Sequence, residues 1–230
     1  MNDLVFVALV AVAGAVVGWA MRPTLARFDA AVPARVPVPE VVTAAVFALA
    51  AAQYDDWRLL AMLVLLAACV ALSIVDLRQY RLPNAVLFPA IAVAAGIIVI
   101  GELVDGDVDA IVSAAVAAVL YSGLLFVMHL INPAGMGFGD VKLAVLLGMF
   151  VGWVADSNLD AVRAVMIALM IGSALGVLLG GIRLLIGRSF LPDPEEGSAG
   201  EGWRRQTFPF GPPLMVGAAV VALYPATVLG

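Results

Sequence analysis

Eight stretches of this sequence are apolar over most or all of the length of a membrane-spanning helix, and most of the charges fall between them or close to their ends. They run over about 3–21, 40–54, 58–75, 84–102, 109–131, 141–155, 161–187 and 209–229. A helix needs about 20 apolar residues to cross roughly 30 Å of hydrocarbon. Lipid offers no water to an unpaired amide or carbonyl, so an open sheet edge is excluded there. The expected fold is therefore all-α: a polytopic integral membrane helical bundle of about eight transmembrane helices, forming one domain over 1–230. The second and sixth stretches are short for a span. None shows a clear 3.6-residue period, which suits helices surrounded by lipid and by one another. Of the 230 residues 64% are hydrophobic and 13% charged, against about 45–50% and about 25% in soluble domains.

The cations set an orientation. With the 22–39 loop placed in the cytoplasm and the spans alternating from there, Arg22, Arg27, Arg35, Arg78, Arg81, Lys142, Arg183, Arg188, Arg204 and Arg205 all fall on the cytoplasmic side. Only Arg58 and Arg163 fall outside. Ten against two follows the positive-inside rule and puts both termini outside. The outer loops carry acids instead, among them Asp55, Asp56, Glu102, Asp105 and Asp107. The first stretch lacks a basic segment before it and is followed by Arg22 and Arg27, so it reads as a retained span rather than a cleaved signal peptide.

Two long loops remain. The 22–39 segment holds Pro23, Pro33, Pro37 and Pro39 and is expected to be extended and irregular. The 188–208 segment, rich in Pro, Gly, Glu and Arg, reads as a flexible cytoplasmic loop. The single cysteine, Cys69, lies in an apolar run, so neither a disulfide framework nor a cysteine metal cluster is expected. No metal, cofactor or nucleic-acid partner is implied; the bilayer is.

Two carboxylates stand out. Asp76 ends the third apolar stretch in "LSIVDLRQYRLPN", and Asp140 opens the sixth in "GMGFGDVKL". The alternation places both at the cytoplasmic edge. An acid there is costly unless paired, hydrated or functional. The two could meet if the third and sixth helices pack together. Two carboxylates a few ångströms apart cannot both ionise easily, so such a pair shares a proton. One member could then take a proton from water while the other hydrogen-bonds a scissile carbonyl, the division of labour of the aspartic proteases. Gly135, Gly137 and Gly139 alternate just before Asp140. Glycine permits unusual backbone angles and close approach, though an ordinary glycine turn would have the same spacing. Asp76 beside Arg78 and Arg81 could equally be a solvated interfacial charge.

Taken together, these stretches resemble the bacterial type IV prepilin peptidases, membrane aspartic peptidases with a Gly-X-Gly-Asp motif. In that family the first catalytic Asp opens a segment of Asp, six residues, Pro, then Asp or Asn; here it reads "DLRQYRLPN", Asp76 to Asn84. The second closes Gly-X-Gly-Asp before a Lys-Leu pair; here it reads "GFGDVKL", Gly137 to Leu143. A third similar stretch is "FPFGPPLMVGA", Phe208 to Ala218. The resemblance implies a catalytic dyad of Asp76 and Asp140, with Gly137, Gly139 and Lys142 shaping the site and Lys142 orienting Asp140 or serving as a positive-inside anchor. It implies prepilin or pilin-like membrane substrates, cut where a basic leader meets an apolar helix, with Glu195, Glu196 and Glu201 as candidate leader contacts. Many members carry a Cys-X-X-Cys domain between the first two helices and also methylate the new N-terminus. The cysteine-free 22–39 loop stands in that place, so the methyltransferase activity is not carried over.

His129, the only histidine, could assist proton transfer or simply make a polar contact. Asn84 is a candidate cap for the helix it opens. Rival readings are an ion- or proton-coupled transporter component, whose carboxylates would lie near the midplane by broken helices, and a preflagellin-type peptidase with the same motifs.

Overall fold

The computed structural model describes residues 2–33, 35–133, 136–186 and 209–229. The 188–208 loop with Glu195, Glu196 and Glu201 lies outside these residues, as do Gly135 and Phe208. Among the described residues there are ten helices and no strand. They are α1 (Asn2–Ala20), α2 (Arg22–Arg27), α3 (Val38–Ala51), α4 (Arg58–Gln79), α5 (Asn84–Asp105), α6 (Val108–Ile131), α7 (Phe138–Trp153), α8 (Asn158–Ile186), α9 (Gly211–Leu223) and α10 (Pro225–Val228). Helices α1, α4, α5, α6 and α8 are long and apolar enough to cross a membrane, and α3 and α9 are shorter apolar helices. The protein is a polytopic helical membrane bundle, and its eight expected spans correspond to α1 and α3 to α9.

Two details differ from expectation. The 22–39 segment is not irregular throughout, because Arg22–Arg27 forms α2. Pro23 sits in the first turn, where its missing N–H is not needed. The Arg22 guanidinium holds the rest of the segment in place. It donates to Val32 O at 3.0 Å, Val36 O at 3.1 Å and Glu40 Oε2 at 2.8 Å. The last expected span is broken at Tyr224, since Pro225 cannot continue the α9 hydrogen-bond ladder.

Tight connections reverse the chain where the sequence supplies the right caps. Gly106 takes the left-handed conformation at φ 79°, and the next amide, Asp107 N–H, returns to Glu102 O at 2.8 Å. That is the usual way a helix C-terminus satisfies its last carbonyls. Asp107 then caps α6, accepting from Ala110 N–H at 3.0 Å.

Small residues set the closest packing. α6 lies along α7, and α1 along α3. A Cβ on Gly148 of α7 would stand 2.6 Å from Ala117 O of α6, and one on Gly152 would collide with Ser113 O. This is how helices associate in lipid, where apolar surface alone gives no preference for protein over acyl chain. Gly148→Leu is expected to destabilise the bundle by about 1–3 kcal/mol through overpacking, read as a lower unfolding midpoint in detergent. An unchanged midpoint would mean that α6 and α7 do not approach this closely.

At the end of the bundle remote from Asp76 and Asp140, α4, α5 and α7 are tied by polar groups. Glu102 is fully buried; it accepts from Trp153 Nε1 at 2.6 Å and lies 3.4 Å from Arg58 Nη2. Trp57 Nε1 donates to Asp105 Oδ2 at 2.8 Å, and Tyr54 hydroxyl to Ala222 O at 2.6 Å. Glu102→Ala strands the buried Trp153 N–H, a loss of about 1–3 kcal/mol. Its thermal midpoint should fall below that of Glu102→Gln, which keeps the acceptor.

Candidate active site

Asp76 and Asp140 enter the same cleft from different helices. Asp76 lies one turn before the end of α4, where Tyr80 caps the helix in the left-handed conformation at φ 52° and returns its N–H to Asp76 O at 2.8 Å. That turn, followed by Pro83, sends the chain back as α5. Asp140 lies in the first turn of α7, whose N-cap is Gly137. An acid three residues after the N-cap can face the cap's own amide, and the Gly137 amide does face the Asp140 carboxylate. The helix dipole favours an anion at this position.

The carboxylates are 5% and 8% exposed and line a cleft of about 310 Å³, with Tyr80, Arg81, Gly139 and Lys142 among its other walls. Gly211, the first residue of α9, shows how close the two acids are. A Cβ there would stand 2.8 Å from Asp76 Oδ2 and 3.6 Å from Asp140 Oδ1. Both acids therefore face one point, and their nearest oxygens are separated by less than those two lengths laid end to end. The Gly211 amide faces Asp76, while the buried Asp76 Oδ2 has no hydrogen-bond partner among the described residues.

The acids do not meet by the route expected from sequence. α4 and α7 share little direct contact, whereas α9 packs against both and so does α5. Gly211 and the start of α9 thus complete the site. "FPFGPPLMVGA" stands out in the sequence as a motif, but nothing in one dimension says that its first glycine stands under the dyad.

The other candidate residues divide. Gly137 and Gly139 border the cleft, yet neither has a positive φ, and Gly137 is extended at φ −70°, ψ 142°. Gly139 serves close approach, since a Cβ there would stand 3.2 Å from the Leu82 Cβ, whereas one on Gly137 would meet Asp140 Oδ2 at an ordinary 3.8 Å. Lys142 lines the cleft but forms no ion pair with Asp140; its Nζ donates to Asn84 Oδ1 at 3.1 Å. Asn84 makes no cap hydrogen bond to α5, whose N-cap is Pro83. His129 is not a wall of the cleft. Its Nδ1 contacts Met136 O at 2.8 Å and its ring lies 5.6 Å from Phe138, so it braces the segment leading into α7. Tyr80 and Arg81 border the cleft and were not singled out from sequence. Among the described residues no group of three or more His, Cys, Asp or Glu comes together as a metal site would require.

Residues 63–181 match the model of the type IV leader peptidase family. The chain belongs to that family. The matched leader peptidase region contains α5, α6, α7 and both acids. The chain is 28% identical over 198 residues to the prepilin leader peptidase/N-methyltransferase of Aeromonas hydrophila, covering 85% of this chain and 60% of that protein. It is 26% identical over 197 residues to the protein of the same name from Pseudomonas aeruginosa, covering 85% and 60%. For the Bacillus subtilis protein the figures are 26% over 191 residues, 82% and 65%. The chain thus spans about 60% of the length of the first of these leader peptidases. No solved structure matches it.

Proposed function

We propose that this protein is an aspartic endopeptidase that removes the basic leader from type IV prepilins or pilin-like proteins, with Asp76 and Asp140 as its catalytic dyad. The observation that carries the reading is the convergence of the two carboxylates on Gly211 in one cleft. The name borne by the similar proteins supplies the substrate class.

The chemistry follows from two acids sharing one proton. The ionised carboxylate takes a proton from a water, whose oxygen attacks the scissile carbonyl carbon. The protonated carboxyl hydrogen-bonds the carbonyl oxygen and stabilises the negative charge that grows there. The tetrahedral intermediate collapses as a proton passes to the leaving nitrogen and the C–N bond breaks. The leader departs with a new carboxylate and the mature protein with a new amino terminus. No covalent enzyme intermediate is formed.

Placement supports the same reading. Asp76 and Asp140 lie at helix ends rather than midway along a span, unlike the midplane acids of transporters. The distribution of Lys and Arg supports a cytoplasmic position for that end, with both termini outside. A basic leader held in the cytosol and an apolar helix held in lipid would present their junction at this depth in a bacterial inner membrane. Residues 1–230 act as one peptidase domain in this reading. The methyltransferase half of the relatives' name is not part of this reading, since 22–39 holds no cysteine.

The test is purified protein in lipid nanodiscs with a peptide joining a basic leader to an apolar helix. One cut at the junction, located by mass spectrometry, is expected. An intact peptide, with ion flux across proteoliposomes, would replace the peptidase reading with the transporter one.

A further inference from the structure

Lys142 is two residues from Asp140 and lines the same cleft, yet its ammonium forms no ion pair with it. Its contacts are Asn84 Oδ1 at 3.1 Å, the Phe88 ring with its centroid at 5.6 Å and the Phe138 ring at 5.1 Å. Among the described residues it forms no ion pair, unlike Arg22, Arg58 and Arg163. A cation over two aromatic faces with one amide acceptor is a satisfied arrangement that needs no carboxylate.

The four residues form two pairs, each one helical turn apart. Asn84 and Phe88 are i, i+4 on α5, and Phe138 and Lys142 are i, i+4 on α7. Residues four apart share a helix face, so one turn of α5 grips one turn of α7 through the ammonium. Residues two apart lie roughly 200° round a helix of 3.6 residues per turn. Fixing Lys142 on α5 therefore turns Asp140 to the opposite side, where Gly211 and Asp76 stand. The same grip secures the 80–84 turn, since Asn84 is the first residue after Pro83, and Leu82 lies against Gly139.

We propose that Lys142, clasped by Asn84 and Phe88, is a positioning residue that sets the rotation of the first turn of α7 and so aims Asp140 at Asp76. It neither holds substrate nor neutralises Asp140. The effect on catalysis rests on the peptidase reading; the effect on geometry does not.

Two measurements on the full chain test this. In the first, kcat and KM for the leader peptide are measured on Lys142→Met, Asn84→Leu, Asn84→Asp and the Lys142→Met/Asn84→Leu double variant, with unfolding midpoints beside them. Lys142→Met and Asn84→Leu should each lower kcat by about 10- to 100-fold, the scale of a misaimed catalytic group. KM should stay within about threefold. The double variant should be no worse than the poorer single, because the two residues act as one contact. Asn84→Asp keeps the acceptor and should stay near wild type. A rise in KM with Asn84 silent would make Lys142 a substrate contact, and additive losses would dissolve the clasp; either overturns the proposal.

The second measurement needs no peptidase activity. Leu82→Cys and Gly139→Cys form a pair across the gripped contact, and the native Cys69 is buried. Their Cβ atoms would stand 3.2 Å apart, a few tenths of an ångström inside the usual disulfide span, so a small shift lets the pair oxidise on the wild-type background, and about tenfold more slowly with Lys142→Met. An unchanged rate would overturn the positioning role whatever the kinetics show. A slowed rate in a protein that cleaves nothing would keep the clasp and remove the peptidase reading.

Discussion

Asp76→Asn and Asp140→Asn are each expected to abolish leader cleavage, lowering the rate by at least about 10²–10⁴-fold, the usual contribution of a positioned acid or base. Asparagine keeps the size and hydrogen-bonding outline of the carboxyl but cannot take the proton from water or return it. Because the two acids work as one unit, the double variant should be no slower than either single. Stability should not fall. Asp76 and Asp140 are 5% and 8% exposed, and Asp76 Oδ2 has no hydrogen-bond partner among the described residues. Replacing a buried carboxyl by a neutral amide removes the cost of holding a carboxylate away from water, so the unfolding midpoint should hold or rise. Cleavage assays on membranes normalised for protein, with thermal unfolding of the purified variants, check both halves. Cleavage at the normal rate by either single variant would remove the dyad.

Gly211→Ala should inactivate the protein nearly as well, although it touches no acid chemically. The added methyl would stand 2.8 Å from Asp76 Oδ2, closer than a real Cβ is found to any heavy atom, and 3.6 Å from Asp140 Oδ1. Asp76 would have to swing away, and a misplacement of about 1 Å in a catalytic group can cost about 10²-fold. The helix itself should tolerate alanine. Gly211 is the first residue of α9 and has no positive φ, and alanine is the better helix former by about 1 kcal/mol. Activity and stability should therefore separate: kcat falls while the unfolding midpoint is kept. An active Gly211→Ala protein would mean that the acids do not converge on this glycine.

The spans could be read from the sequence because bilayer thickness fixes their length. The 84–102 and 109–131 stretches became Asn84–Asp105 and Val108–Ile131, bounded by Pro83, Gly106 and Asp107, residues whose capping chemistry is local. The acids could be read too, since a carboxylate flanking an apolar run calls for a reason. The pairing of helices could not. Apolar runs without a 3.6 period do not say which face meets which neighbour, and the expected contact between the two acid-bearing helices is instead mediated by α9 and α5. Gly211 and the Lys142–Asn84 contact escaped notice for the same reason, as each is defined by residues far away in the chain. The glycines before Asp140 suggest either unusual backbone angles or close approach; Gly139 uses the second, making room for Leu82, a partner only the folded chain reveals.

The meeting of the two acids is tested most directly by replacing both with cysteine. In the Asp76→Cys/Asp140→Cys protein, with Cys69 substituted and the chain in lipid nanodiscs, a short thiol cross-linker should bridge the two positions within one chain. The bridge should release as a single linked peptide pair in mass spectrometry. If both thiols are labelled singly and never joined, while the Leu82→Cys/Gly139→Cys pair links under the same conditions, Asp76 and Asp140 do not share a site.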